Sequence, residues 1–146
     1  MAEKTAHGAI GVIAFSGDVE RVHYALALAS AAAAVNNPAT LFFTMGAVRT
    51  LLKDSAGGTP GWHALSAGES GLAPAAREAL LKKRGAATFA ELLAACADLG
   101  VTFMVCEMGL RAIGIEAAEL RSDIEISQGG LVTFFRATEG GRIVFV

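Results

Sequence analysis

Cysteine is nearly absent, with Cys96 and Cys106 the only two in 146 residues. They are too few for a disulfide scaffold and too far apart for a Cys-x-x-Cys redox pair or a zinc half-site, so each reads as a free thiol. Histidine is scarce as well. His7, His23 and His63 have no metal-type spacing among themselves or with the cysteines, and no His-x-x-x-His pair occurs, so no metal site is expected. Charged residues make up only 18% of the chain and the net charge is −2. With no basic stripe to neutralise phosphates, a nucleic-acid partner is not expected. Long apolar runs are missing too. The most apolar helical stretch, Ala25 to Val35, is broken by Ser30 and falls short of the ~20 residues that cross a bilayer. Met1-Ala2-Glu3-Lys4 does not lead into a signal-type segment, and the expectation is a cytoplasmic protein with no membrane span.

Several enzyme signatures are also lacking. Gly8-x-x-Gly11 sits inside an apolar run, and no Gly-x-Gly-x-x-Gly opens a helix after it. Neither a Walker lysine nor a Gly-x-Ser-x-Gly elbow is present, and no cofactor is expected.

What is abundant is apolar material, 53% of the residues, which suits one domain with a substantial core. The run from Gly8 to Phe15 is nearly continuous and apolar, as in a strand covered on both faces. Ser16-Gly17-Asp18 then offers a turn and an N-cap for a helix from about Val19 to Val35, in which Val22, Leu26, Ala29 and Ala33 recur at helical spacing. A second strand, Ala39 to Thr44, gives way at Met45-Gly46 to a short helix carrying Val48, Leu51 and Leu52. From Asp54 to Leu72 the composition turns to Gly, Ser, Thr and Pro around Trp62 and His63, an excursion loop without period. Trp62 there suits a pocket cover or, better, a subunit interface, and His63 could reach the site as a lid.

Ala75 to Lys83 reads as a surface helix. Thr88 caps another, in which Phe89, Leu92, Leu93 and Cys96 share the apolar face, so Cys96 is assigned to packing. Val101 to Val105 is a third buried strand ending at Cys106, with Glu107 to Ile113 a short helix beyond it. A short strand near Ile124-Glu125-Ile126, a helix from about Gly130 to Ala137 and a strand from Arg142 to Val146 complete the pattern. Five strands alternating with helices predict an α/β fold of three layers, α/β/α, around a mainly parallel sheet.

Ligands of such sheets gather at the carboxyl ends of the strands. Three junctions converge on that edge: Ser16-Gly17-Asp18, Thr44-Met45-Gly46 and Cys106-Glu107-Met108-Gly109. Cys106 is the chemical candidate, because a thiol acts as nucleophile or sulfur carrier as its thiolate, which a helix N-terminus favours. Against this, free cysteine is among the most buried residue types, and Glu107 opposes the thiolate. The residues alone leave both readings open. Asp18 could orient a ligand, but an N-cap role accounts for it, and His23 reads as a packing or surface histidine.

Three segments together resemble the DsrE/DsrF-like family, especially its DsrE-related branch often labelled peroxiredoxin-like. They are Ala39-Thr40-Leu41-Phe42-Phe43-Thr44-Met45-Gly46-Ala47, then Glu91-Leu92-Leu93 through Gly100-Val101 into Cys106 to Ile115, and Gly129 to Phe135. The second is the most specific, and the likeness runs in order along nearly the whole chain. It implies the α/β fold, a homo-oligomer, and a cysteine at position 106 that accepts persulfide sulfur and passes it to a TusA-like or rhodanese-like partner. Relatives commonly have Ser or Thr where this chain has Gly109, so a hydroxyl beside the sulfur is missing from that position. The Thr-x-x-Cys of true peroxidases is absent around both cysteines. The rival reading is a binding or assembly module in which Cys106 only packs.

Overall fold

The structure is a computed structural model that describes residues 8–146, so His7 lies outside the described residues. Five strands, β1 (Ile10–Ala14), β2 (Ala39–Phe43), β3 (Thr102–Cys106), β4 (Ile126–Gly129) and β5 (Arg142–Phe145), form one sheet in the order β4-β3-β2-β1-β5. Every neighbouring pair is parallel. The α/β architecture is therefore the expected one, with a sheet that is wholly rather than mainly parallel.

The crossovers decide which face each helix covers. From β1 through β4 the chain steps across the sheet in one direction, and right-handed crossovers keep the intervening helices on one face. There α1 (Val19–Ala34) packs against α3 (Phe89–Asp98), with α2 (Pro74–Lys83) at the surface. Their buried side chains, Val22, Leu26, Ala29, Phe89, Leu93 and Cys96, meet the alternate strand residues Val12, Ala14, Leu41, Phe43, Phe103 and Val105 in the main core. After α4 (Glu107–Ile113) and β4, the chain must return over the whole sheet to reach β5. The reversed step puts α5 (Leu131–Ala137) on the opposite face, which it covers alone.

That second layer is thin. Phe134 is the buried residue of α5, and it forms a small cluster with Phe42, Met104 and Cys106, with Ile13 alongside. Gly11 makes the seat possible: a Cβ there would lie 2.5 Å from Phe134 Cζ and from Thr138 Cγ2. This glycine inside a strand thus marks a close approach of helix to sheet.

Two local expectations are corrected. The fourth strand is Ile126–Gly129, not the segment around Ile124-Glu125-Ile126, because Ile126 pairs with Phe103 and the polar residues Ser127 and Gln128 continue the ladder to Gly129. The segment 54–72 holds a 3-10 turn, Gly61–Ala64, that drives Trp62 into the core. Trp62 is 4% exposed and stacks on Phe89 with ring centroids 4.2 Å apart. It borders a cavity beside Leu93 and Asp123 but, being buried, offers no surface to another subunit.

Candidate active site

The carboxyl edge of the sheet is built from three turns that touch through glycines. β2 ends at Phe43, Thr44 follows in extended backbone, and Met45 turns the chain with φ of 48°, an uncommon left-handed value for a side-chain-bearing residue. The next residue, Gly46, lies against Gly17 of the β1–α1 turn, where a Cβ on Gly46 would be 2.8 Å from the Gly17 Cα and nitrogen. On the other side, a Cβ on Gly109 would be 2.7 Å from both the Met45 nitrogen and the Thr44 Oγ1. Position 109 is thus closed to a side chain by Thr44 and Met45. The three junctions do converge, and they converge by filling the edge rather than by opening a cleft between them.

Cys106 sits at the join of β3 and α4 and serves as the N-cap of α4. Its Sγ accepts a hydrogen bond from the Gly109 N–H at 3.4 Å, the geometry by which serine or aspartate caps a helix. Of the amides from Glu107 to Gly109, that of Gly109 is the one directed at the sulfur. Glu107 and Met108 point to solvent, Met108 being 59% exposed. Because side chains alternate along a strand, Cys106 faces the α5 side together with Met104, and Gly129 is its partner in β4. The thiol is 2% exposed, enclosed by the cluster around Phe134.

Four cavities among the described residues lie away from this edge. Two flank the amino edge of the sheet, one near Val101, Thr102 and Asp123 and one near Gly8, Asn37 and Arg142. The others border the 54–60 segment, and His63 lines one of them with Leu52, Asp54 and Glu119. None of these four is lined by Cys106 or by another junction residue, and the cavity that His63 lines is not at this edge.

The polar groups of the first junction are committed to the fold. Ser16 Oγ accepts from the Asp18 N–H at 3.1 Å, and Asp18 Oδ1 caps α1 by accepting from the Glu20 and Arg21 amides at 2.7 and 3.3 Å. The Gly17 carbonyl accepts from Ser66 through its backbone N–H (2.8 Å) and its hydroxyl (3.0 Å), which ties the 54–72 segment to this turn.

Cys96 lies on the other side of the sheet from Cys106, within the main core. Its Sγ lies 3.3 Å from the Leu26 carbonyl, and burial pushes its thiol up to about 12. It is a packing residue and no resolving partner for Cys106; both thiols are free. His23 is a packing residue too. Its Nε2 lies 2.8 Å from the Ala87 carbonyl and its Nδ1 3.3 Å from an Arg77 guanidinium nitrogen, which fits a neutral ring that donates through Nε2 and accepts at Nδ1. Burial, with Arg77 adding to it, holds the imidazole below its ordinary pKa, although the Ala87 hydrogen bond and Glu78 pull the other way. Among the described residues no group of three or more His, Cys, Asp or Glu side chains could hold a metal ion. No helix among them is long and apolar enough to cross a membrane.

A wholly parallel five-stranded sheet with helices on both faces, and a cysteine capping the helix after its third strand, defines an α/β protein of three layers. The DsrE/DsrF-like family profile matches residues 9–144, and the chain belongs to that family. Solved structures agree on the fold. The YchN protein of E. coli is similar at 18% identity with a TM-score of 0.59, over 95% of this chain and 99% of that one. MTH1491 from Methanobacterium thermoautotrophicum, described as a protein of unknown function, is similar at 16% identity with a TM-score of 0.56, over 96% of this chain and 99% of that one. No curated protein matches the chain.

Proposed function

We propose that the chain is a sulfur-relay protein that carries sulfane sulfur as a persulfide on Cys106. The observation that carries the reading is the Gly109 N–H directed at Cys106 Sγ from the first turn of α4. An amide donor and the helix dipole both favour negative charge on sulfur, the form that attacks. Membership of a family generally associated with sulfur relay supports it.

The chemistry balances without an external oxidant. The Cys106 thiolate attacks the terminal sulfur of a donor persulfide, an S–S bond forms as the donor's own S–S bond breaks, and the donor leaves as a thiolate. An acceptor thiolate then repeats the exchange on the terminal sulfur, and Cys106 departs as thiolate. TusA-like or rhodanese-like proteins are the partner class the reading implies, and a homo-oligomer is the assembly.

Burial of Cys106 adds a condition. A donor must reach Sγ in line, so transfer requires local opening of the layer over it, where α5 is held to the sheet chiefly through Phe134. The 2% exposure of the same residue favours the second reading, a binding or assembly module with a structural cysteine.

Intact-mass spectrometry after polysulfide or thiosulfate treatment separates the two. The expected result is one added sulfur on the wild type and on Cys96→Ala, and none on Cys106→Ala. An unmodified wild type, or an undiminished adduct on Cys106→Ala, would defeat the carrier reading.

A further inference from the structure

Thr44 follows β2 with a hydroxyl that the fold does not use. Asp18, Thr88 and Cys106 each cap the helix that follows them, whereas Thr44, in the same position before the 3-10 turn Met45–Leu51, makes no capping bond. Its backbone is committed, the N–H donating to the Ala14 carbonyl at 3.0 Å and the carbonyl accepting from the Ala47 N–H at 3.1 Å. The residue is 7% exposed, and among the described residues its Oγ1 has no hydrogen-bond partner. Buried hydroxyls are ordinarily paired, so one left over calls for a reason.

Its neighbours supply one. Phe43 pairs with Val105 in the parallel ladder, and Thr44 keeps extended backbone with φ −138° and ψ 162°, so the next pair along the two strands is Thr44 and Cys106. Alternation turns both side chains to the side of Phe42 and Met104, the face that α5 covers. The hydroxyl also lies close to Gly109: a Cβ there would be 2.7 Å from Oγ1, and the amide of the same residue donates to Cys106 Sγ at 3.4 Å. Other directions around Sγ are taken. Phe42, Met104 and Phe134 fill the side toward the middle of the sheet. Toward β4 stands Gly129, packed against Thr133, whose own side chain is exposed to water.

We propose that the Thr44 hydroxyl binds the outer sulfur of a persulfide on Cys106, so that each sulfur has its own donor, the Gly109 N–H for the inner and Thr44 Oγ1 for the outer. The assignment rests on the carrier reading and deepens it by naming the group that holds the cargo. An S–S bond of ~2.05 Å spans almost half of the ~4.8 Å between neighbouring strands, which carries the outer sulfur from Sγ toward Oγ1. Deprotonated, that sulfur is anionic, and hydrogen bonds to ionised acceptors are the strong ones. Loading consumes no oxidant. The Cys106 thiolate attacks the outer sulfur of glutathione persulfide, one S–S bond forms as the other breaks, and glutathione leaves as its thiolate. The hydroxyl acts on the loaded state, since the bare Sγ is not its partner.

Equilibrium loading tests this. The full chain is brought to equilibrium with glutathione persulfide and glutathione at a fixed ratio, and sulfur on Cys106 is read by peptide mass mapping. Thr44→Val, which keeps the shape and removes the hydroxyl, is expected to lower the ratio of loaded to unloaded chain about tenfold, the effect of one hydrogen bond to a charged group. Thr44→Ser, which keeps the hydroxyl, is expected to load as the wild type does. Iodoacetamide should label unloaded Cys106 at the wild-type rate in both. Far-UV circular dichroism reports folding, and Thr44→Ala removes the hydroxyl a second way should Thr44→Val misfold. A folded variant without the hydroxyl that loads like the wild type, or a Thr44→Ser that loads as poorly as Thr44→Val, would overturn the assignment. So would faster labelling of unloaded Cys106 in Thr44→Val, because the loss would then come from a loosened layer. A wild type that takes up no sulfur is a separate result: it defeats the carrier reading itself, and leaves Thr44 no cargo to hold.

Discussion

Replacing Phe134 by alanine should make Cys106 reactive while leaving Cys96 silent. Phe134 is fully buried, its ring centroid is 4.8 Å from that of Phe42, and it shares a cluster with the Cys106 side chain. Truncating a buried phenylalanine costs about 3–5 kcal/mol. Because Phe134 is the buried residue of α5, most of that loss falls on the docking of α5 to the sheet rather than on the main core. If Cys106 reacts only from a state with α5 undocked, its labelling rate follows the population of that state. With about 1.4 kcal/mol per tenfold, the rate should rise by at least about a hundredfold. The assay is pulse labelling with iodoacetamide at neutral pH, read cysteine by cysteine by peptide mass mapping. Cys96 is the internal control, since it lies in the main core with its thiol pushed up to about 12 and so reports global unfolding. An unchanged Cys106 rate would refute the gating argument. Both cysteines accelerating together would refute it as well, because the substitution would then be unfolding the molecule rather than lifting one helix.

Gly109→Ala should cost about 1–3 kcal/mol, because the added methyl meets the Met45 backbone nitrogen at 2.7 Å and the turn has to shift; urea denaturation measures it, and a neutral effect would contradict the close approach. Stability should fall as pH drops below about 6.5, since the unfolded chain protonates His23 at its ordinary pKa while the folded chain, with that pKa lowered, resists. The drop continues down to the folded pKa and then levels; thermal melts across this window should show a smaller slope for His23→Gln than for the wild type. Trp62, stacked on Phe89 and 4% exposed, should emit at short wavelength in the native state and shift to the red on unfolding. Trp62→Ala should lose about 3–5 kcal/mol of stability, and emission typical of a water-exposed indole in the native protein would contradict its place in the core.

The strands that lie in the middle of the sheet were legible because burial on both faces writes itself as continuous apolar sequence, as in β2 with Ala39-Thr40-Leu41-Phe42-Phe43. Caps were legible for the same local reason: Asp18 and Thr88 accept from the amides that the helix leaves unpaired. β4 was misplaced by about two residues because it is an edge strand. Ser127 and Gln128 are exposed, so nothing apolar marks the part that pairs. Trp62 was misassigned because the composition around it describes the backbone, which runs at the surface, while a four-residue 3-10 turn sends one side chain inward onto Phe89. That contact joins residues 27 positions apart, and no local periodicity encodes it.

The site shows the same division. That Cys106 would stand at a strand end before a short helix, near Gly17, Thr44, Met45 and Gly46, followed from the order of strands and turns. Its enclosure did not, since that depends on α5 crossing the opposite face, and hence on β5 pairing with β1 rather than with β4. Only the three-dimensional strand order says which face receives the last helix. The consequence bears on mechanism. A persulfide left in open solvent is within reach of any thiol, whereas one beneath α5 meets only a thiol that arrives when α5 is lifted. In such an arrangement selectivity rests on the opening equilibrium as much as on the acidity of the sulfur. Mild urea, at concentrations that leave Cys96 protected, should therefore speed the labelling of Cys106 in the wild-type protein. A Cys106 rate that stays flat until Cys96 also reacts would mean that α5 opens only when the whole molecule does, and would return Cys106 to the role of a packed side chain.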